Sequence, residues 1–337
     1  MKKYTTQTTM AEALMAPEFE PFQKYLMYQG GHAGEQSPEA ESHARMGQAP
    51  LSVLAQIGWS PEGIAEGLNA LSEAVQEGRT EQYFVYPKEA CGDDPLKAEV
   101  NLIRIRPAEA KAGVPVIVLC ARGAYESVCT MVEALPTARH FLALGYNVFL
   151  FTYRVGVQEA AIKALDDLAA GIRYLDEHSR DLGIAPFRYA IGGFSAGSNL
   201  VSNWGSPRIG YQSYGLPKPA AMFPIYTYID LELEAGRDEN GGLVAPMLGR
   251  NFRELIPKYN VVNQIDADYP PCYIVCGKDD TVVPCVNSEK MKEKLDEAGV
   301  PAVLEEGEHA PHGFGDGTGT DVEGWPERAA AFLEGLI

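Results

Sequence analysis

The sequence is short of positive charge. Its 337 residues carry 28 Lys and Arg against 46 Asp and Glu, a formal net charge of −18. Such a surface repels phosphate backbones and anionic headgroups, so neither nucleic acid nor a membrane is expected as a partner. Basic runs interleaved with aromatics are missing as well. Apolar stretches stay well below the roughly 20 residues that cross a bilayer. Lys2 and Lys3 have no apolar core behind them, so the first residues do not read as a secretory signal. Cysteine is sparse: Cys91, Cys120, Cys129, Cys272, Cys276 and Cys285 are scattered, several of them in apolar runs. That suits reduced, buried thiols and a cytoplasmic location better than a disulfide framework. Cys272 and Cys276 lack the spacing and the second pair of a zinc site, so no metal is expected, and no cofactor.

What remains is an ordinary globular composition, 46% hydrophobic and 22% charged, enough for one large domain with an extension. Residues 1 to about 50 are mixed, and Gly30-Gly-His-Ala-Gly34 and Ser37-Pro38 suggest an irregular arm. A helix then follows. Ser60 can cap it, Pro61 suits its first turn, Ile64, Leu68, Leu71 and Val75 share one face, and Gly78 closes it. Residues 1–80 therefore read as a helical extension packed on a catalytic domain spanning 81–337.

Strand-like runs cover 82–86, 100–106, 114–120, 148–153, 189–191, 220–226, 272–276 and 302–305. Helix-like runs cover 131–144, 160–178, 199–204, 288–298 and 326–337. This alternation predicts an α/β fold with a mostly parallel central sheet and helices on both faces. The run 100–106 alternates apolar and polar, as an edge or antiparallel strand does, whereas 114–119 is continuously apolar, as a central strand is. The stretch 230–268 breaks the rhythm. It reads as a loop-rich, polar insertion that can form part of a substrate pocket.

The chemistry concentrates in Gly193-Phe-Ser195-Ala-Gly197, a Gly-x-Ser-x-Gly element between a β-like run and a helix-compatible run. In that context the serine sits on a sharp strand-to-helix turn. A serine hydroxyl needs a base, usually a histidine oriented by a carboxylate. Only His309 and His312 lie far downstream, both in a Gly/Pro-punctuated loop. Asp279 and Asp280 follow a short apolar run ended by Gly277, at the carboxyl end of a strand, where open α/β sheets place ligands. The order Ser, Asp, His is that of the α/β-hydrolases. An oxyanion hole would use the amide of Ala196 and a second donor from the loop after 114–120.

At these residues the chain resembles α/β-hydrolases of the esterase/lipase type, near the BD-FAE-like and acetyl-xylan-esterase-like enzymes. The resemblance covers roughly 96–337. Cys120 to Tyr125 matches the family's Pro-Gly-Gly-Gly-aromatic loop, Gly193 to Gly197 its nucleophile elbow, and the segment from His312 to Trp325 its histidine loop. It implies an α/β-hydrolase fold, with Ser195 as nucleophile, Asp280 as acid and His312 as base. Asp280 is preferred because the family's acid stands three residues before Val283-Pro284, and His312 because His-Gly-Phe matches. It also implies oxyanion donors at Gly123 or Ala124, plus Ala196. The loop departs from the family at Ala121, Arg122 and Ala124, and Arg122 can narrow the site or bind an anionic group, or equally point to solvent or pair with a surface carboxylate. Tyr125 and Tyr226 join Arg122 as candidate substrate-binding residues. The expected activity is serine-dependent hydrolysis of a small-molecule carboxylic ester, short-acyl or acetyl, with carbohydrate as one alcohol. A prolyl-oligopeptidase-type peptidase and a non-catalytic binding protein of the same fold are the alternatives. Homo-oligomerisation is left open.

Overall fold

The structure is a computed structural model that describes residues 3–32, 47–236 and 241–337. Ser37-Pro38 therefore lies outside the described residues. Eight strands form one sheet: β1 (Thr80–Phe84), β2 (Asn101–Ile105), β3 (Val116–Cys120), β4 (Val148–Thr152), β5 (Tyr189–Phe194), β6 (Met222–Ile225), β7 (Cys272–Gly277) and β8 (Ala302–Gly307). Their spatial order is β1-β2-β4-β3-β5-β6-β7-β8. The β1–β2 and β2–β4 pairs are antiparallel, and all pairs from β4 onward are parallel. The carboxyl ends of β3, β5, β7 and β8 thus share one sheet edge, and every segment with a candidate site residue leaves from it.

The continuously apolar β3 is buried along its whole length beside an equally buried β5, as its composition requires. β2 is antiparallel but lies inside the sheet, not at its edge, and is buried throughout. Its polar residues survive burial through partners. Asn101 Oδ1 accepts from Gln82, and the Arg104 guanidinium donates to Asn147 Oδ1 at 2.8 Å.

The Ser60 hydroxyl accepts from Gly63 N at 3.0 Å and caps the Pro61–Gln76 helix, whose Ile64, Leu68 and Leu71 are buried. That helix packs on the Ala134–Ala143 helix. Side chains before residue 60, among them Tyr4, Phe19, Leu26 and Leu54, join the same hydrophobic core as those of the sheet. Main-chain bonds stitch this arm down. Tyr28 and Val128 exchange hydrogen bonds of 3.0 and 2.8 Å, and Gly31 N donates to Val155 O at 3.0 Å. Between 230 and 268 the polar composition suggested loop, yet among the described residues three short α-helices form there: Leu231–Ala235, Val244–Leu248 and Phe252–Tyr259. Each is brief, and buried Leu231, Val244, Met247 and Phe252 supply the apolar anchors that a polar average conceals.

Candidate active site

Ser195 follows β5 directly and precedes the Ala196–Trp204 helix. Its backbone has φ 53° and ψ −115°, a conformation costly for a residue with a side chain. The two flanking glycines permit so tight a turn. A Cβ on Gly193 would stand 2.2 Å from Gly197 O, and one on Gly197 would stand 2.1 Å from Cys120 O.

Three side chains from three segments meet above this edge. His312 Nε2 lies 3.1 Å from Ser195 Oγ, and His312 Nδ1 lies 2.7 Å from Asp280 Oδ2. Asp280 is buried, and its Oδ1 accepts the amides of Val282 and Val283, both at 2.8 Å. Those amides aim its other oxygen at the imidazole. The neighbouring candidates take structural posts. Asp279 accepts the amide of Ala310 at 2.8 Å, and the His309 side chain is 84% exposed.

The loop after β3 borders the elbow because β3 pairs with β5. Ala124 and Tyr125 both have positive φ, 52° and 62°, and Gly123 has φ 143°. The amides of Gly123, Ala124 and Ala196 make no hydrogen bond among the described residues, which leaves them available to a ligand oxygen. The amide of Arg122 is already committed, donating to Glu133 Oε2 at 2.9 Å.

Glu133, Asn199 and Trp59 are the contributors that motif reasoning missed. Glu133 is fully buried. Its Oε1 accepts the Tyr226 hydroxyl at 2.7 Å and lies 3.4 Å from Arg122 Nε. Burial pushes the Glu133 carboxyl above its ordinary range, and Arg122 counters part of that. Burial lowers the Arg122 guanidinium, but Glu133 together with Cys129, Tyr226 and Asp280 more than offsets it, so Arg122 stays protonated. The guanidinium also covers the Trp59 ring at 4.9 Å. Asn199, one turn into the helix, accepts from the Tyr125 hydroxyl at 2.9 Å and donates to Tyr228 O at 2.6 Å. It ties the oxyanion loop to the segment after β6.

Two expectations need correction. Tyr226 cannot touch substrate: it is fully buried, with its ring 4.9 Å from the His312 ring and at right angles to Phe314. Its role is to back the imidazole. The cysteines are also not all free thiols, because Cys276 and Cys285 are joined in a disulfide. β7 ends beside the turn that returns from Asp280, and this brings residues nine apart in sequence into contact. Glu306 approaches the same pair, so the one group of candidate metal ligands among the described residues already has its sulfurs bonded to each other. Tyr125 does line the cavity, but its hydroxyl is spent on Asn199.

A cavity of about 970 Å³ opens over Ser195, bordered by His312, Arg122 and Ala124. Among the described residues no helix is long and apolar enough to cross a membrane.

A mostly parallel eight-stranded sheet with a serine elbow, and with acid and histidine loops on one edge, defines an α/β-hydrolase. The BD-FAE family model matches residues 104–295, more than half of the chain, and the protein belongs to that family. The chain is 25% identical over 187 residues to endo-1,4-beta-xylanase B of Butyrivibrio fibrisolvens; the match spans 52% of this chain and 28% of that relative. It is similar in fold to an acetyl ester-xyloside bifunctional hydrolase from Caldicellulosiruptor lactoaceticus, with TM-score 0.59 and 24% identity over 70% of this chain and 88% of that one. It is likewise similar to the butyrate-bound esterase Est2 of Thermogutta terrifontis, with TM-score 0.60 and 20% identity over 77% and 94% of the two chains.

Proposed function

We propose that this protein hydrolyses a short-acyl carboxylic ester through an acyl-enzyme on Ser195. The observation that carries the reading is the continuous hydrogen-bonded line from Ser195 Oγ through His312 to Asp280, at 3.1 and 2.7 Å. In this reading His312 Nε2 takes the Ser195 proton as Oγ attacks the ester carbonyl. Asp280 holds the other ring proton at Nδ1 and stabilises the imidazolium. The carbonyl oxygen, now an anion, sits among the amides of Ala196 and of Gly123 or Ala124. Collapse of the tetrahedral species releases the alcohol, which carries away the proton from His312. Water then repeats the sequence and frees the acid and the serine.

An acetyl or similarly short acyl group agrees with family membership and with the acetyl ester in one neighbour's name. Carbohydrate alcohols in such names belong to those proteins; the alcohol accepted here depends on this chain's own pocket walls. The test is the Ser195→Ala variant on p-nitrophenyl acetate. Turnover is expected to vanish while circular dichroism and melting temperature stay native-like, and undiminished turnover would falsify the reading.

A further inference from the structure

The cavity over Ser195 is only half built by the hydrolase sheet. Ten of its described lining residues precede residue 60, among them Met10, Leu14, Met15, Met27, Ile57 and Trp59. Leu243, Met247, Val282 and Val283 line it as well. The arm is held in place by the Tyr28–Val128 main-chain pair, three residues after Tyr125 of the oxyanion loop. The walls are therefore predominantly aliphatic and thioether surface, with Gln29, Gln48, Glu126, Ser127 and Tyr228 as polar liners. Such surface takes apolar groups of varied shape and offers few partners to a ring of hydroxyls.

Trp59 and Arg122 join these walls. Trp59 is only 7% exposed, and its Nε1 has no hydrogen-bond partner among the described residues. Among the described residues Arg122 ion-pairs through Nε with Glu133 alone. Its Nη1 and Trp59 Nε1 lie 2.7 and 3.0 Å from the point where a Cβ on Gly313 would stand, so both flank the residue next to His312. A histidine that returns a proton to the leaving oxygen must face the alcohol, so this flank is the alcohol side of the site. The Arg122 charge is already answered by buried Glu133, and the protein carries a net charge of −18. A second carboxylate gains little there, whereas a neutral acceptor oxygen can pair with the Arg122 guanidinium; Trp59 Nε1 itself is sealed from the cavity.

We propose that the N-terminal arm is the leaving-group pocket, and that the alcohol it selects is bulky, apolar and uncharged, with one acceptor oxygen directed at Arg122. This rests on Ser195 being the nucleophile, and it sets a substrate class different from an acetylated sugar.

The test is a series of acetate esters measured as kcat/KM: 4-ethylbenzyl, 4-acetylbenzyl and 4-carboxybenzyl acetate, beside acetylated xylobiose. The benzyl carbon keeps the leaving alcohols electronically alike. The two neutral benzyl esters are expected to exceed the sugar ester by about a hundredfold, as burial of a phenyl-sized group implies. The acetyl ester should exceed the ethyl ester, and the carboxylate ester should trail both. Arg122→Met removes the guanidinium and keeps an unbranched side chain, and should cut the acetyl-to-ethyl ratio about five- to tenfold. Leu14→Gln should lower the ethyl-to-sugar ratio, with melting temperature checked for both variants. Equal or better turnover of the sugar ester, or ratios unmoved by both variants, overturns the proposal and leaves Ser195 chemistry intact. If no ester is turned over and a fluorophosphonate does not label Ser195, the underlying reading fails instead.

Discussion

Glu133 holds the main-chain amide of Arg122 at 2.9 Å from a position that is itself fully buried. Through its other oxygen it also holds Tyr226, whose ring backs His312. One carboxylate thus fixes the start of the oxyanion loop and the wall behind the imidazole. Glu133→Ala would leave Arg122 and the Tyr226 hydroxyl buried without their partner, a change expected to cost about 3–5 kcal/mol of stability. Glu133→Gln keeps an acceptor for the amide and should be milder. Both should lower kcat more than they raise KM, because they disturb positioning and not substrate contact. Urea unfolding and ester kinetics on the two variants check this; a pure KM effect would count against it.

Gly197 is constrained from outside its own turn. The nearest atom to an added Cβ is Cys120 O at 2.1 Å, a backbone atom of β3 that cannot swing aside. In Gly197→Ala either the elbow or the strand must shift, and both carry the reacting groups. A displacement near 1 Å suffices for a rate loss on the order of a hundredfold. Expected results are a strong drop in kcat, slower fluorophosphonate labelling and a lower melting temperature. Native rates of labelling would show that the elbow tolerates the methyl group.

Much of this site was legible because its chemistry is written in local pattern. Gly193, Ser195 and Gly197 are adjacent in sequence, and Asp280 and His312 follow strand-like runs in the order that one sheet edge requires. Glu133 was not legible. A glutamate at the start of an apolar helix looks solvated until the fold brings Arg122 and Tyr226 around it. Trp59 was hidden for a related reason: its partner residues lie 63 and more positions away, and no periodicity in the arm announces them. Tyr226 was misread because residues at the end of a central strand alternate between the site and the core, and a short run does not say which way each points. The Cys276–Cys285 bond depended on how the chain turns after Asp280, which spacing alone does not reveal.

Asp280 can be tested without disturbing its loop. In Asp280→Asn the Oδ1 position can still accept the amides of Val282 and Val283, which lie at 2.8 Å. The other position becomes an NH2 that donates to His312 Nδ1. This favours the tautomer with its proton on Nε2, which cannot accept from Ser195. A fall in kcat of about 10⁴ is expected, with the fold retained. Stopped assays with p-nitrophenyl acetate and a melting curve decide it, and activity within tenfold of the parent would remove Asp280 from the orienting role.

His140 gives a pH-dependent stability of defined sign, apart from catalysis. Its Nδ1 lies 2.5 Å from Glu327 and its Nε2 3.2 Å from buried Asp316, which Arg139 also contacts at 2.8 Å. Burial and Arg139 push the imidazole down, but the hydrogen bonds to Asp316 and Glu327 outweigh them, so its pKa lies above the ordinary 6.5. The folded state therefore binds this proton more tightly than the unfolded chain. That contribution is complete below about pH 6.5 and is lost as pH rises through the raised folded value. Asp316 runs the other way. Its pKa is depressed below 3.8: burial acts to raise it, but the His140 hydrogen bond and the Arg139 charge outweigh that, so its contribution is lost only as acid reaches the depressed value. Between these limits both contributions are present. The melting temperature should fall as pH rises above about 6.5 on this account alone, and His140→Gln should remove that part of the slope. The measurement is a melting series from pH 5 to 9 on both proteins, and parallel curves would mean that His140 carries no such linkage.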